Sequence, residues 1–231
     1  MARLFSVLLF LLFGGALDAA DPANEPSRGG KFDWARLKTD SPYWNQHAER
    51  DAHVIDLMRK QTSLNIGDAW HSAEVSRLEE LCAYPFVFAQ TIASLTDADG
   101  GNLAEYLRRG GFLLIDACVR VTVNPNAELY LAAQTKTLVR QFPNVRVVAL
   151  APDHEIYSAY FKLTKFPPQT RSGTNPSWAR GSTEPLRGIF LEDRLVGVIS
   201  LSGFQCGLVQ NPNPADIVQM VTNICIYAMT R

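Results

Sequence analysis

Short, continuous apolar runs alternate along this chain with longer segments in which apolar residues recur every three or four positions. The runs cover residues 86–89, 112–115 and 145–150, the last interrupted only by Arg146, and helical spacing lies between them. Uninterrupted apolar strands separated by helices are typical of a parallel sheet that is buried on both faces. The pattern therefore predicts an α/β protein, a three-layer αβα sandwich with a mainly parallel sheet.

The flanking segments extend this pattern in both directions. Phe32, Trp34 and Leu37 indicate a first strand, and helical spacing follows over residues 44–61. A short strand at residues 65–66 and a short helix over residues 75–81 are expected next. Thr96 or Asp97 is expected to cap the helix that Gly110-Gly111 ends, and Asn126 to begin the next helix.

The last third of the chain interrupts this alternation. Residues 164–185 are dense in Pro, Gly, Ser and Arg, which predicts a long loop. Residues 186–191 and 195–200 are separated by Glu192-Asp193-Arg194, a spacing that predicts a C-terminal β-hairpin. A largely buried helix over residues 214–229 is expected to complete the fold.

The N-terminal segment has the composition of a secretory signal peptide. Arg3 precedes an apolar stretch at residues 4–13, and small residues follow around Ala19 and Ala20, where we expect cleavage. The alternative is an uncleaved membrane anchor, although the stretch is short for a bilayer span. The pattern predicts residues 1–20 as signal, 21–30 as a flexible leader and 31–231 as a single domain. The protein is then periplasmic or secreted, with no stable membrane insertion after cleavage.

Composition narrows the range of partners and cofactors. The net charge of −1 provides no basic surface for nucleic acid. The sequence has no phosphate-binding loop and no dinucleotide fingerprint, so we expect no cofactor. His47, His53 and His71 lack a second ligand at metal spacing, and the four cysteines form no C-x-x-C pair, so we expect no metal. The remaining partners are an unknown small molecule or an envelope protein.

Candidate site residues follow the predicted strands, because ligands of open α/β sheets bind beyond the carboxyl ends of the strands. Asp116, Cys118 and His154 are the candidate catalytic residues, since a thiol, a histidine and an acid can form a triad. The candidate ligand-binding residues are Gln90, Asp153 and Gln205.

Each of the catalytic candidates also has a structural interpretation. Asp116 can hold a loop by accepting backbone hydrogen bonds, or it can bind a ligand. Cys118 has no flanking glycine, Asp116 opposes thiolate formation, and a disulfide with Cys206 would remove both thiols as nucleophiles. Asp153 can cap a turn while His154 packs into the loop.

Several segments together resemble the bacterial family called domain of unknown function 4159. They are residues 32–37 (FDWARL), 84–88 (YPFVF), 102–116 (NLAEYLRRGGFLLID), 150–157 (LAPDHEIY) and 223–230 (NICIYAMT). The resemblance implies a flavodoxin-like fold similar to that of class I glutamine amidotransferases and trehalose-utilisation-like proteins. It implies no activity. The chain lacks the Gly-x-Cys-x-Gly elbow and the His-x-Glu pair that glutaminase chemistry needs.

Two functional interpretations follow from these observations. The first is an exported, non-catalytic module that binds a ligand or a protein on a degenerate amidotransferase-like fold. The second is a hydrolase that uses Asp116 or Cys118 together with His154. The incomplete catalytic signature favours the first interpretation.

Overall fold

A computed structural model describes residues 30–116, 127–163, 185–201, 203–204, 207–208 and 215–231 of the chain. Its strands are β1 (Phe32–Lys38), β2 (Ile66–Glu74), β3 (Phe86–Ala89), β4 (Phe112–Asp116), β5 (Arg146–Ala149), β6 (Arg187–Leu191) and β7 (Arg194–Ser200). Its α-helices are α1 (Asp51–Gln61), α2 (Leu78–Cys82), α3 (Asp97–Arg108), α4 (Ala127–Gln141) and α5 (Ala215–Thr230), with short 3-10 helices at Ala48–Arg50 and Glu155–Tyr157.

The strands form one seven-stranded sheet in the order β2-β1-β3-β4-β7-β6-β5. The pairs from β2 across to β7 are parallel, whereas β6 is antiparallel to both β7 and β5. The carboxyl ends of β1, β3, β4 and β7 therefore lie along one edge, which we call the carboxyl edge. The opposite edge, where these strands begin, is the amino edge.

Helices cover both faces of this sheet. One core joins α1 and α5 to strand residues such as Phe86 and Phe88, and the other joins α2, α3 and α4 to Val87 and Ala89. The alternation along β3 follows from the period of two in a strand, which sends successive side chains to opposite faces. The predicted three-layer sandwich and the predicted C-terminal hairpin are both confirmed.

The ends of α3 illustrate how the sequence delimits an element. The Thr96 hydroxyl accepts the Asp99 N–H at 3.2 Å, an N-cap. At the other end, Gly110 has φ 104°, and its N–H donates to the Leu107 carbonyl while the Gly111 N–H donates to the Tyr106 carbonyl. These two bonds form a Schellman motif, which the glycine permits. Both predicted boundaries of this helix are confirmed.

Two predicted elements differ from the structure. The strand expected at residues 65–66 extends over Ile66–Glu74 and includes His71. β2 is an edge strand with several polar residues, so it shows no continuous apolar run. In the segment predicted as a helix over residues 44–61, only Asp51–Gln61 is α-helical, and turns and the first 3-10 helix precede it.

No helix in the described ranges has both the length and the apolar composition needed to cross a bilayer.

Candidate functional site

Asp116 is the last residue of β4 and lies at the carboxyl edge, as predicted. Its side chain is buried, and its Oδ1 accepts the Phe204 N–H at 2.9 Å. Gly203, directly before Phe204, has φ 65°, so the chain turns sharply there. The carboxylate therefore holds the segment that follows β7, which is the structural role considered for it above.

Gln90 follows β3 and is the neighbour of Asp116 along the edge. Because Ala89 pairs with Ile115, the residues that follow them, Gln90 and Asp116, occupy matching positions at the carboxyl ends of two adjacent strands. The Gln90 side-chain Nε2 donates to the Gln46 backbone carbonyl at 3.0 Å, and the Gln90 backbone carbonyl accepts a hydrogen bond from the Tyr130 hydroxyl. The structure thus brings two of the predicted site residues together, and each binds backbone of a loop at this edge.

Arg36, which no sequence pattern marked as a site residue, also holds the loop that contains Gln46. Its guanidinium is fully buried and bonds to Asp51 through Nε and, at 2.8 Å, through Nη2. Its Nη1 donates to the carbonyls of Trp44 and Gln46 at 3.1 and 3.3 Å.

Two aromatic contacts complete the surroundings of this ion pair. The Trp34 Nε1 donates to Asp51 at 2.9 Å, and the Arg36 guanidinium carbon lies 4.9 Å from the centre of the Phe88 ring. Buried charges need this degree of pairing, because an uncompensated one is very costly. β1 (FDWARLK) contains three charged residues, so the sequence alone did not distinguish Arg36 from Asp33 and Lys38.

His47 lies in the loop over residues 39–50, between β1 and α1, that these anchors hold. It has φ 60° and ψ 23°, the left-handed region that non-glycine residues seldom adopt. Its Nδ1 is 3.6 Å from the Glu49 carboxylate, and its Nε2 has no hydrogen-bond partner within the described part of the chain. Strained residues of this kind cluster at functional sites. His47 therefore joins the candidates, although its spacing in the sequence gave no indication of it.

His154 has a different environment from Asp116 and Gln90. Its Nδ1 accepts the Ile156 N–H at 3.2 Å and so caps the second 3-10 helix. Its ring centre lies 5.8 Å from that of Tyr227, which in turn lies 6.0 Å from that of Phe112 at the start of β4. Asp116 is at the far end of that strand, about 13 Å along it from Phe112. Asp153, for which a capping role was one interpretation, is exposed, and His154 provides the cap.

The chemistry of the His154 ring follows from these contacts. Burial lowers the pKa of His154, and the nearby Glu155 and Asp153 carboxylates oppose that shift. In a catalytic triad the histidine donates its Nδ1–H to the acid. Here Nδ1 accepts a backbone N–H, so the proton of the neutral ring is on Nε2. This arrangement is that of a capping histidine and differs from that of a triad base.

The remaining predicted site residues, Cys118, Gln205 and Cys206, lie outside the described residues, as does most of the predicted loop over residues 164–185. Of the other two cysteines, both free, Cys82 is exposed and Cys225 is buried in α5, where burial raises the pKa of its thiol. The described ranges contain no group of three His, Cys, Asp or Glu side chains that could hold a metal ion.

Comparison with known proteins gives one family match, to the model described as Domain of unknown function (DUF4159), over residues 33–229. No curated protein matches the chain.

Proposed function

The chain belongs to the DUF4159 family, and from the arrangement of its carboxyl edge we propose that it is an exported, non-catalytic binding module. Its ligand is a small molecule or an envelope protein, and the loops at the carboxyl edge form the binding surface. The proposal includes a degenerate fold of the class I glutamine amidotransferase type, which the mostly parallel sheet supports.

One observation carries this proposal. The buried polar side chains of Arg36, Gln90 and Asp116, which lie in or just after three neighbouring strands, each bind backbone groups of a loop. A general acid, base or nucleophile must instead be within reach of the reacting atoms. Side chains that hydrogen-bond to loop backbone hold those loops on a rigid scaffold. Many binding surfaces consist of loops held in this way.

The loop between β1 and α1 offers suitable contact groups. Tyr43 is 56% exposed, and Trp44 is partly buried beside it. His47, whose side chain is 19% exposed, lies in the same loop with a left-handed backbone conformation. Aromatic side chains provide large contact areas at low entropic cost and are enriched where proteins bind partners. These three residues are the proposed contact surface.

The environment of His154 supports the absence of catalysis. A histidine whose Nδ1 accepts a backbone N–H lacks the orientation that an acid gives to a triad base. Export rests on the sequence at residues 3–20.

Binding can be tested with thermal-shift and calorimetric screens of small molecules and envelope extracts against the purified protein. We expect a ligand whose affinity falls at least about tenfold in Tyr43→Ala, the loss of one aromatic contact. Tyr160→Ala is the matched control, since Tyr160 is 44% exposed at another place in the fold. A ligand that binds both variants equally would contradict this surface.

The same purified proteins should be assayed with a panel of ester, amide and glycoside substrates. We expect no turnover. Hydrolysis that disappears in His154→Ala and in either Asp116→Ala or Cys118→Ala, with folding unchanged by circular dichroism, would overturn the proposal and establish the hydrolase alternative.

Export can be tested by fractionating bacterial cells that express the full chain or a variant lacking residues 4–13. We expect the full chain outside the cytoplasm, with mass spectrometry showing a new N-terminus near Ala19 or Ala20. A full-length product that stays in the cytoplasm would refute export without affecting the binding test.

A further inference from the structure

The first half of α4 holds the segment that follows β3 through two buried side chains. The Tyr130 hydroxyl donates to the Gln90 backbone carbonyl. The Gln134 Oε1 accepts the Ile92 N–H at 2.7 Å, and the Gln134 Nε2 donates to the Thr91 hydroxyl at 3.1 Å. Tyr130 and Gln134 are 5% and 1% exposed, so these bonds form away from solvent. Three consecutive residues after β3 are therefore attached to one helix.

Gln90 connects this attachment to the other face of the sheet. Phe88 belongs to the core beneath α1 and α5, and Ala89 belongs to the core beneath α4. Side chains alternate along a strand, which directs the Gln90 side chain to the same face as Phe88. There its Nε2 donates to the Gln46 carbonyl, 44 positions away in the sequence. Gln90 thus binds α4 through its backbone and the loop over residues 39–50 through its side chain.

The Gln46 carbonyl is a point at which this loop is held. It accepts a hydrogen bond from Gln90 at 3.0 Å and one from Arg36 at 3.3 Å. A side-chain amide is placed only as accurately as its own backbone, and the Gln90 backbone is bound by Tyr130. Loss of the Tyr130 hydroxyl would therefore loosen the hold on Gln46, although the hydroxyl itself bonds to Gln90.

We infer that Tyr130 and Gln134 are positioning residues that hold the proposed binding loop in place through Gln90. The choice of this loop rests on the function proposed above, since Tyr43 and Trp44 are the proposed contact residues. Coupling between two sites is reciprocal, so a partner that orders the loop also stabilises this part of α4. The helix and the loop, on opposite faces of the sheet, then respond to a partner together.

Hydrogen exchange of the loop amides tests the inference without a ligand. The N–H groups of Gln46 and Ala48 donate within the loop, to the Tyr43 and Asn45 carbonyls, and so report on its order. Tyr130→Phe removes only the hydroxyl. We expect it to accelerate exchange at both amides about fivefold to tenfold, the effect of losing a hydrogen bond.

Gln134→Met is a second variant of the same link. It keeps the length of the side chain but leaves the Ile92 N–H buried without its acceptor. We expect exchange to accelerate at Ile92 and at the same two loop amides. Urea denaturation establishes that each variant is folded.

Tyr106→Phe is the matched control. Tyr106 is also a buried tyrosine whose hydroxyl binds backbone, at Phe112 near the amino edge. We expect this variant to lower the stability of the whole protein. It should leave exchange at Gln46 and Ala48 unchanged, because loop amides exchange through local opening. A general loss of stability is thereby distinguished from a loss of loop positioning.

A double variant decides whether Tyr130 acts through Gln90. Gln90→Met removes the bond to Gln46 and should by itself accelerate exchange in the loop. Adding Tyr130→Phe to Gln90→Met should then have no further effect there. The inference is overturned if Tyr130→Phe changes the loop no more than Tyr106→Phe does, or if its effect is equally large with and without Gln90→Met. If the coupling is found but the binding screens fail, only the proposed function is refuted.

Discussion

The two ends of β4 are held by the same kind of contact, made from very different parts of the chain. At the amino end, the Tyr106 hydroxyl accepts the Phe112 N–H and donates to the Phe112 carbonyl, both at 3.2 Å. At the carboxyl end, the Asp116 carboxylate accepts the Phe204 N–H. The first contact joins residues six apart in sequence, and the second joins residues 88 apart.

The two ends of β4 therefore differ in how far apart in sequence their contacting residues are. The amino end is formed by α3, its Schellman motif and the start of β4, which are consecutive. Burial raises the pKa of Tyr106, so its hydroxyl stays neutral and serves as donor and acceptor at once. The carboxyl end needs the segment after β7, and the neighbouring loop over residues 39–50 needs Arg36 and Gln90. The side-chain anchor at the carboxyl end of β4 therefore depends on a distant segment being in place.

The largest loss of stability is expected from removing the buried ion pair between Arg36 and Asp51 near the carboxyl edge. Arg36→Ala leaves Asp51 buried without its main partner and should cost about 3–5 kcal/mol of unfolding free energy. Urea denaturation measures this. Lys38→Ala is the control on the same strand, because its pair with Glu74 is about one-third to two-fifths exposed and is worth less than about 1 kcal/mol. Equal losses in the two variants would show that Arg36 is not an anchor.

The second-largest loss of stability is expected from a substitution at the carboxyl end of β4. Asp116→Ala removes a charged acceptor and leaves the Phe204 N–H buried, so we expect a loss of about 1.5–3 kcal/mol. Hydrogen exchange should accelerate at Phe204 while the amides of β4 near Phe112 stay protected. Asp193→Ala, in the exposed hairpin turn, is the control. Uniform acceleration across the sheet would mean that the two ends are not independent.

A substitution at the amino end tests the local contact. A Cβ on Gly111 would overlap the Tyr106 ring, which is buried and held by its hydroxyl. Gly111→Ala should therefore destabilise the protein by about 1–3 kcal/mol, measured by denaturation. Gly101→Ala meets no atom within 4 Å in α3 and should stabilise slightly, because alanine is the better helix former. A neutral Gly111→Ala would show that the ring can move.

The smallest expected effect is the pH dependence of stability that His154 contributes. Burial lowers the pKa of His154 below its ordinary value of 6.5, so the unfolded chain binds a proton that the folded protein does not. This contribution to stability is complete above about pH 6.5 and decreases as the pH falls toward the folded pKa. NMR titration should give a His154 pKa below 6.5, and His154→Gln should reduce the loss of thermal stability between neutral and mildly acidic pH. An NMR value above 6.5 would contradict the burial argument.

Much of the fold could be predicted because its signals are local. Apolar runs marked β3 and β4, Thr96 and Gly110-Gly111 marked the ends of α3, and the charged turn between β6 and β7 marked the hairpin. β2 was predicted too short, since an edge strand needs no continuous apolar run. The turns over residues 44–47 were predicted as helix because Trp44 and Ala48 are spaced to share a helix face with the apolar residues of α1.

The sequence predicted where the candidate site lies better than it predicted what the site residues bind. The rule for strand ends placed Gln90 and Asp116 at the carboxyl edge, where they lie. For Asp116 the holding of a loop was one of two interpretations, but nothing indicated that Gln90 would also bind a loop, because its partner, the Gln46 carbonyl, is a backbone group far away in sequence. Nor did the rule for strand ends find Arg36 or His47, whose roles depend on a buried partner and on a backbone angle.

The position of β7 has a consequence for how the chain matures. β7 comes near the end of the sequence, yet it lies inside the sheet between β4 and β6, and α5 after it covers the face that contains Phe86 and Phe112. Until this last part has been synthesised, β4 has an open edge and that face is uncovered. We therefore expect β4 and this face to stay unpaired in a nascent chain until β7 and α5 have been synthesised, and folding to be slow because it waits for distant pairings. An unfolded chain is also one that a secretion channel can thread.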